Sequence, residues 1–575
     1  MKKGTVIGID LGTTTTEAAV FRDGKAEMIL NMEGNIVTPS AVGLDESGNF
    51  VIGEKARAQF LMAPERTAIE VKRKIGSGER IRLGRQSFTP VDLSARLLEY
   101  VRRYACEYLD EEIDRAVISV PAYFDDVQRQ EIVEAGKRSG LTVERIINEP
   151  TAAALSYGID HMEEESHIMI YDLGGGTFDV TILELFEGVL EVKASSGDNQ
   201  LGGKDFDERL IRWLCGRFEK RHGISLEGNT YALARLKEQA EQCKIALSTQ
   251  EEAAIRIPLL AERDGMPLAL EETVSRRQFE ELTRDLVDRT HAPIQVVLDD
   301  SKIRPEDLKL VLLVGGSTRM PMVSHDIEAF LGMEPKTEIH PDYSVAEGAS
   351  IQAGIISGAI DSADGIVMTD VNPYTLGIRV LSEYSDDCMS VIIPRNVTIP
   401  VTRNRQYYTS YPNQECAEIR IYQGESRIAS RNHSLGTFMV EGIPHGPAGK
   451  EAIDVAFSYN QNGMLHVSAI LVSTGEEADV TIDMMETGAG VRMDVSGWKQ
   501  APIAGDYRSI LRRSEKILKN VQKEEADEDD EAWSRELEEL IYQLKKAIIE
   551  GNRPEADSFD DEIRDFIEEE ENGRL

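Results

Sequence analysis

Cysteine is scarce in this chain of 575 residues, and what there is has no pattern. Cys106, Cys215, Cys243, Cys388 and Cys416 are odd in number, widely spaced and form no C-x-x-C pair. That argues against a disulfide framework and a structural zinc site, and for free thiols in a reducing compartment. Long apolar runs are missing too. No stretch approaches the ~18 apolar residues of a membrane span, and the apolar start at Thr5–Ile9 is too short for a signal peptide. The chain therefore reads as cytoplasmic. Positive charge is in deficit, with 64 Lys and Arg against 102 Asp and Glu and a net charge of −38. Such a field repels nucleic acid and anionic lipid at long range. The deficit is uneven, since residues 520–575 hold 21 acids and 7 bases, a net of −14. The P-loop signature G-x-x-x-x-G-K-[ST] is absent, so any phosphate site must be built in another way.

What is present divides the chain. At ~100–200 residues per domain, the length allows three or four folding units. Up to about residue 360, short β-branched runs (Thr5–Ile9, Ala116–Val120, Ile168–Tyr171, Leu310–Val314) alternate with helical stretches such as Pro90–Leu109 and Asp125–Ser139. This is an α/β pattern. Within it, Thr5–Val20 and Ile168–Leu183 echo each other. Each reads apolar strand, Asp-Leu-Gly turn, alternating strand, which predicts two related lobes with a ligand between their turns. Ala363–Val371 reads as a connector. Beyond it, Ile453, Val455, Phe457 and Tyr459 alternate on one side of Asn462-Gly463, and Leu465, Val467, Ala469 and Leu471 on the other. Asn-Gly between alternating runs predicts a β-hairpin. Helical spacing returns at Ile510, Leu511, Ile517, Leu518 and Val521, and in the stripe Leu537, Leu540, Ile541, Leu544, Ile548 and Ile549. Between them, the acidic run Glu524–Glu531 reads as a solvated loop, with a surface for a basic partner as the alternative.

The chemistry sits in the turns. Gly12 and Gly174, Gly175 and Gly176 allow close backbone approach, so that N–H groups can meet phosphate oxygens. Thr13, Thr14 and Thr177 add hydroxyls. Asp10, Asp172 and Asp179 would repel bare phosphate and make sense only with a cation between, such as Mg²⁺ held through its waters. A third turn, Gly315-Gly316-Ser317-Thr318-Arg319, follows a strand. It reads either as a surface for a nucleoside or as an ordinary strand-to-helix connection.

Taken in order, Asp10-Leu-Gly-Thr-Thr, Val120-Pro-Ala-Tyr-Phe124, Asn148-Glu-Pro-Thr-Ala-Ala-Ala154, Asp172-Leu-Gly-Gly-Gly-Thr-Phe-Asp179, Leu201-Gly-Gly and Val314-Gly-Gly-Ser-Thr-Arg319 resemble one family. It is the seventy-kilodalton heat-shock chaperones typified by DnaK, and within it the short bacterial members such as HscC. The resemblance spans about residues 4 to 485. It implies a multidomain α/β plus β fold. An actin-like two-lobed ATPase domain would occupy 1–361, a linker 362–371, a β-sandwich peptide-binding domain 372–487 and a truncated acidic helical lid or tail 488–575. It implies ATP or ADP with Mg²⁺, and K⁺ as a further ion. By position, Asp10 and Asp172 correspond to holders of the Mg²⁺ water shell, and Lys72 to the lysine near the γ-phosphate and attacking water. Glu149 corresponds to an organiser of the metal and water network, Thr13 and Thr177 to hydroxyls near the γ-phosphate, and Asp179 to a potassium-associated carboxylate. Their plainer readings are a surface lysine for Lys72 and a helix cap for Glu149.

The same resemblance puts Gly202, Gly203, Glu241, Lys244, Ser248, Gly315, Gly316, Ser317, Arg319 and Asp342 around the nucleotide. Ile245 departs from it, standing where the family has an arginine on the adenine. Pro121 and Arg129 match residues that relay nucleotide state, and Arg145, Asn148, Thr151 and Asp370 match positions where J-domain co-chaperones act. In the linker Ile366-Val-Met-Thr-Asp370, Thr369 replaces a leucine. Ile378, Val380, Leu381, Ser410, Ala417 and Ile419 are the candidate peptide pocket, each with sandwich core as its alternative. The segment Gly76–Ala116 is shorter than in long family members, which raises the question of an exchange factor, and the short tail implies fast peptide exchange. The implied function is an ATP-hydrolysing, stress-responsive chaperone for unfolded clients, stimulated by a J-domain partner. A small-molecule kinase of the same superfold and a non-cycling interaction module are the alternatives.

Overall fold

The computed structural model describes residues 4–159, 161, 165–186, 189–263, 266–337, 340, 342–360, 367–382, 385–460, 464–475, 477–481 and 503–521, with scattered positions between 537 and 567. It divides into two compact units, Met1–Met485 and Glu486–Leu575.

The first unit is built on two six-stranded sheets of matching design. In one, Ile7–Leu11 runs antiparallel to Thr15–Arg22 and parallel to Arg115–Val120, with Asp10 opposite Glu17. In the other, Ser166–Leu173 runs antiparallel to Phe178–Phe186 and parallel to Leu308–Val314, with Asp172 opposite Asp179. The strand cores are buried on both faces, which is why they read as nearly continuous apolar runs. Helix Ser344–Ser357 packs against Ile7–Leu11 so closely that a side chain at Gly8 would meet the backbone of Ala349 and Ser350. Val117, Ile147, Ala152, Ile170, Leu312 and Ala349 form one apolar cluster drawing on both sheets. The helices start where their caps say they should. Thr89 and Asp92 form a reciprocal capping box before Pro90–Leu109, and Asp125 and Gln128 form another before Asp126–Arg138.

The β-rich remainder of this unit is two four-stranded sheets enclosing one core. Ala452–Tyr459 pairs with Leu465–Leu471, with Ile453 opposite Leu471 and Tyr459 opposite Leu465. The alternating residues point inward as their spacing predicts, while Asn462-Gly463 lie outside the described residues.

The strand Val367–Val371 is common to both parts. It pairs in parallel with Val189–Asp198 of the second large sheet and antiparallel with Thr398–Ile399. Ile366 lies outside the described residues. Side chains reinforce the junction. Arg395 and Asn396 each donate to Asp300 at 2.7 Å, Asn396 Oδ1 accepts from the Ser195 N–H at 3.0 Å, and the Tyr374 hydroxyl donates to the Tyr123 carbonyl at 2.8 Å.

The second unit contains helix Ala504–Val521 and helical positions from Leu537 to Ile567. Tyr507, Ile510 and Leu511 share a core with Leu537, Ile541, Leu544 and Ile548, the stripe expected from the spacing. Ile549 and the acidic run 524–531 lie outside the described residues. Among the described residues, no helix is long and apolar enough to cross a membrane.

Candidate functional site

The two Asp-Leu-Gly turns end the two central hairpins and face one cavity of about 420 Å³. Asp10, Gly12, Thr13 and Thr14 line it from one hairpin, and Asp172, Gly174, Gly175 and Thr177 from the other. Lys72 and Glu149 complete this end, and Glu241, Lys244, Gly315, Gly316, Ser317, Arg319 and Asp342 line the other. The volume falls within the ~300–1,000 Å³ of small-molecule sites.

Glycine is a packing requirement at two of these turns. A Cβ on Gly202 would meet the Gly176 Cα at 2.6 Å and the Gly175 carbonyl carbon at 2.7 Å. Gly315 has φ +84°, in the left-handed region, and a Cβ there would lie 2.7 Å from Asp172 Oδ1. The turns are laced together as well. The Gly203 N–H donates to the Gly174 carbonyl at 3.0 Å, and the Ser317 hydroxyl to the same oxygen at 2.8 Å. The outcome is a set of turns packed tightly against one another.

Carboxylates crowd the first end. Lys72, buried, forms an ion pair with buried Glu149. Burial, then the Glu149 charge, pushes the Asp10 carboxyl up to about 6, against Lys72 and a 2.7 Å hydrogen bond from the Ser119 hydroxyl. Burial and Glu149 push Asp179 up to about 8, against the Tyr123 N–H at 3.2 Å. Burial, with Glu149, Asp179 and Asp10, holds Asp172 well above the usual range. These shifts share their causes: first burial away from water, then more negative charge than Lys72 can neutralise. A divalent cation would reverse them. An all-oxygen set of carboxylates and hydroxyls suits Mg²⁺ rather than a soft metal. The residues present therefore fit a magnesium nucleotide.

At the other end, burial raises the Glu241 carboxyl, but Lys204, Arg57 and Lys244 outweigh it and leave it below the ordinary range. Arg57, on the first lobe, reaches across to Glu238 at 2.8 Å and to Glu241. Lys244 donates to Gly203 O at 3.0 Å and Asp207 at 2.9 Å, and Arg319 pairs with Asp342 at 2.6 Å. Ile245 also lines this end and is 62% exposed.

Five expected residues do not reach the cavity wall. Gly176, Gly202 and Gly203 lie behind it, in the interlocked turns. Asp179 is buried opposite Asp172. Ser248 donates instead to the Lys244 carbonyl, one helical turn back, at 3.3 Å. Conversely, Thr15, Val37, Val345 and Glu17 line the cavity without having been singled out. Glu17 is 1% exposed and its Oε1 has no partner. Its place opposite Asp10 on a hairpin is the signal that would have found it.

The relay positions form a chain of contacts. Buried Pro121 precedes Ala122, whose carbonyl accepts from Arg129 at 2.8 Å. Arg129 also donates to Phe124 O at 3.0 Å and to Asn148 Oδ1 at 2.8 Å. Asn148 and Thr151 in turn donate to Asp370, on the shared strand, at 2.8 and 3.3 Å. Arg145 donates to Gln352 at 3.1 Å. On the β-rich side, Ile378 and Ile419 belong to the sandwich core, with Val380 and Ala417 packed against it. Leu381 is exposed, as is Ser410. Among the described residues, one other cluster has cation spacing, Asp288, His291 and Asp326. Arg284 already bridges its two carboxylates.

The Hsp70 protein family profile matches residues 6–81 and 77–572. The chaperone protein DnaK of Thermotoga petrophila is 42% identical over 98% of this chain and 96% of its own length. That of Thermosipho africanus is 41% identical over 97% and 90%, and that of Thermosipho melanesiensis 45% identical over 84% and 80%. Twin Asp-Leu-Gly hairpins around one acidic cavity are thus accompanied by likeness along nearly the whole chain, and the chain belongs to the Hsp70 protein family.

Proposed function

We propose that nucleotide in the cavity controls the β-rich part through the strand Val367–Val371. The chain is an ATP-dependent chaperone that hydrolyses ATP and binds extended segments of unfolded clients. The observation that carries the control reading is the double pairing of that strand, which makes one segment part of the ATPase sheet and of the β-rich part at once. Asp370 on it is hydrogen-bonded to Asn148, and Asn148 adjoins Glu149 at the cavity.

The division of labour proposed for the cavity is the one the family resemblance implies. Asp10 and Asp172 would hold the water shell of a bound Mg²⁺, Asp179 would hold a potassium ion, and Thr13 and Thr177 would meet the terminal phosphate. Lys72, steadied by Glu149, orients the attacking water and neutralises charge, which is most of what phosphoryl transfer requires. The end lined by Glu241, Lys244, Gly315, Gly316, Arg319 and Asp342 takes the nucleoside. The domain boundaries are 361, 371 and 487. Arg145, Asn148, Thr151 and Asp370 form the region acted on by a J-domain partner, which raises a slow intrinsic turnover. Extended peptide lies along the exposed side of the sandwich near Leu381 and Ser410, gripped by main-chain hydrogen bonds. The chain's kinship within the family is with short specialised members such as HscC.

The test is release of a fluorescent extended apolar peptide with and without Mg-ATP. Faster release on ATP is expected. Release unchanged by ATP, with both ligands bound, would overturn the control reading and favour a non-cycling module.

A further inference from the structure

Asp126 lies outside the nucleotide cavity, in the first turn of helix Asp126–Arg138. It is 2% exposed, and so is Tyr459 of the β-rich part, whose hydroxyl donates to Asp126 Oδ1 at 3.0 Å. Asp126 Oδ2 is buried and has no hydrogen-bond partner. The charged and titratable groups around it are few. Arg129, one turn along, has its guanidinium committed to Phe124 O, Ala122 O and Asn148 Oδ1. Asp125 caps the same helix and adds like charge. Tyr459 is the group that faces it from the other side.

A carboxylate with one oxygen unsatisfied, in a site closed to water, is less stable as an anion than as a neutral acid. Burial pushes the Asp126 carboxyl up to about 7, against the Tyr459 hydrogen bond and the Arg129 charge. Part of this burial comes from Tyr459 and is lost when the two parts separate. When Tyr459 withdraws, Asp126 faces water at a helix N-terminus, where the positive end of the helix dipole favours the anion.

We propose that Tyr459 and Asp126 form a proton-dependent latch: the docked arrangement takes up a proton at Asp126, and the separated arrangement releases it. Linkage sets the direction. The docked form holds its proton up to about pH 7, whereas a solvated aspartate loses it near ~3.9. Protons therefore favour docking, and that preference is lost as the pH rises through about 7. Between about pH 6 and about pH 8 the docking equilibrium weakens roughly tenfold. Because the proposed control of peptide release runs through docking, ATP-driven release would slow over the same range. This last step rests on the functional reading above.

The experiment is amide hydrogen exchange of the strand Val367–Val371 in the full chain with Mg-ATP, expressed as protection factors from pH 6 to 8. Wild type is expected to lose protection about tenfold. Asp126→Asn removes the titrating group and is expected to hold its protection, within about twofold, across the range. Tyr459→Phe removes only the hydroxyl, so it starts lower and falls at least as steeply. A contact of purely structural value would shift both variants without changing their slopes. A flat wild type, or an Asp126→Asn profile parallel to wild type, overturns the latch. Peptide release that ignores ATP at every pH counts against the functional reading, and the exchange profile still judges the latch by itself.

Discussion

Lys72 sits where Asp10, Asp172 and Asp179 each feel its charge, and it is paired with Glu149. Replacing it with alanine leaves Glu149 buried without its partner. We expect Lys72→Ala to slow single-turnover hydrolysis by about 10²–10³-fold, the scale of a lost preorganised charge, while ADP still binds. Radiolabelled single-turnover assays and ADP titration separate the two effects. At the opposite end, the proposed nucleoside seat, Ile245 lines the cavity with an aliphatic side chain and no charge. Ile245→Arg is expected to tighten ADP binding by roughly 0.5–1 kcal/mol, the size of a partly exposed cation–π contact, read by calorimetry. Both residues were marked by the family resemblance, since on local pattern alone Lys72 reads as a surface lysine and Ile245 as an ordinary helix residue. Glu17 was not, since its meaning arises only from Asp10 across the hairpin. Nor could alternation tell Ile378 and Ile419 apart as pocket or core. Inward-facing positions of a sandwich strand look alike whichever they line, and the structure puts these two in the core.

Elements carry a second set of constraints. The helix starting at Gly203 begins against the Gly174–Gly176 turn, with Gly202 as its cap. A methyl group there would meet backbone, which cannot rotate out of the way. Gly202→Ala is expected to lower stability on the order of 1–3 kcal/mol, the range for overpacking, and to weaken nucleotide binding at the same time. Thermal melts with and without ADP would show a fall in Tm and a smaller ligand-induced rise. The junction strand depends on Asp300, which accepts from both Arg395 and Asn396. Asp300→Ala should loosen that corner and raise exchange in the strand Thr398–Ile399, with little effect on ADP affinity. The strands themselves were readable from β-branched runs and alternation. Their partners were readable only where a short turn joins them. Nothing local marks Val367–Val371 as belonging beside Val189–Asp198, because a parallel pairing leaves no trace in the residues between.

Across the whole molecule, charge is the dominant property. A net charge of −38 makes the folded chain repel itself. Raising ionic strength from low to physiological values shortens the reach of that repulsion to about 8 Å, so Tm should rise with added salt. A chain stabilised chiefly by surface ion pairs would show a fall. The division into an α/β part, a β-rich part and a helical end was legible from changes in periodicity. The contact between Tyr459 and Asp126 was not, since they stand 333 positions apart. The junction strand has one more consequence. Whenever Val367–Val371 lifts away, Val189–Asp198 becomes an outer edge of its sheet, with backbone groups open to any extended chain. A protein that handles extended chains thus carries a competing seat for them on its own ATPase sheet. The seat is small, since only Val189, Leu190 and Glu191 are paired there. A foreign segment gains little from so short a ladder, whereas the displaced strand stays tethered beside it at a high effective concentration. Competition at this edge is therefore decided in favour of the chain's own segment, and the molecule avoids becoming its own client.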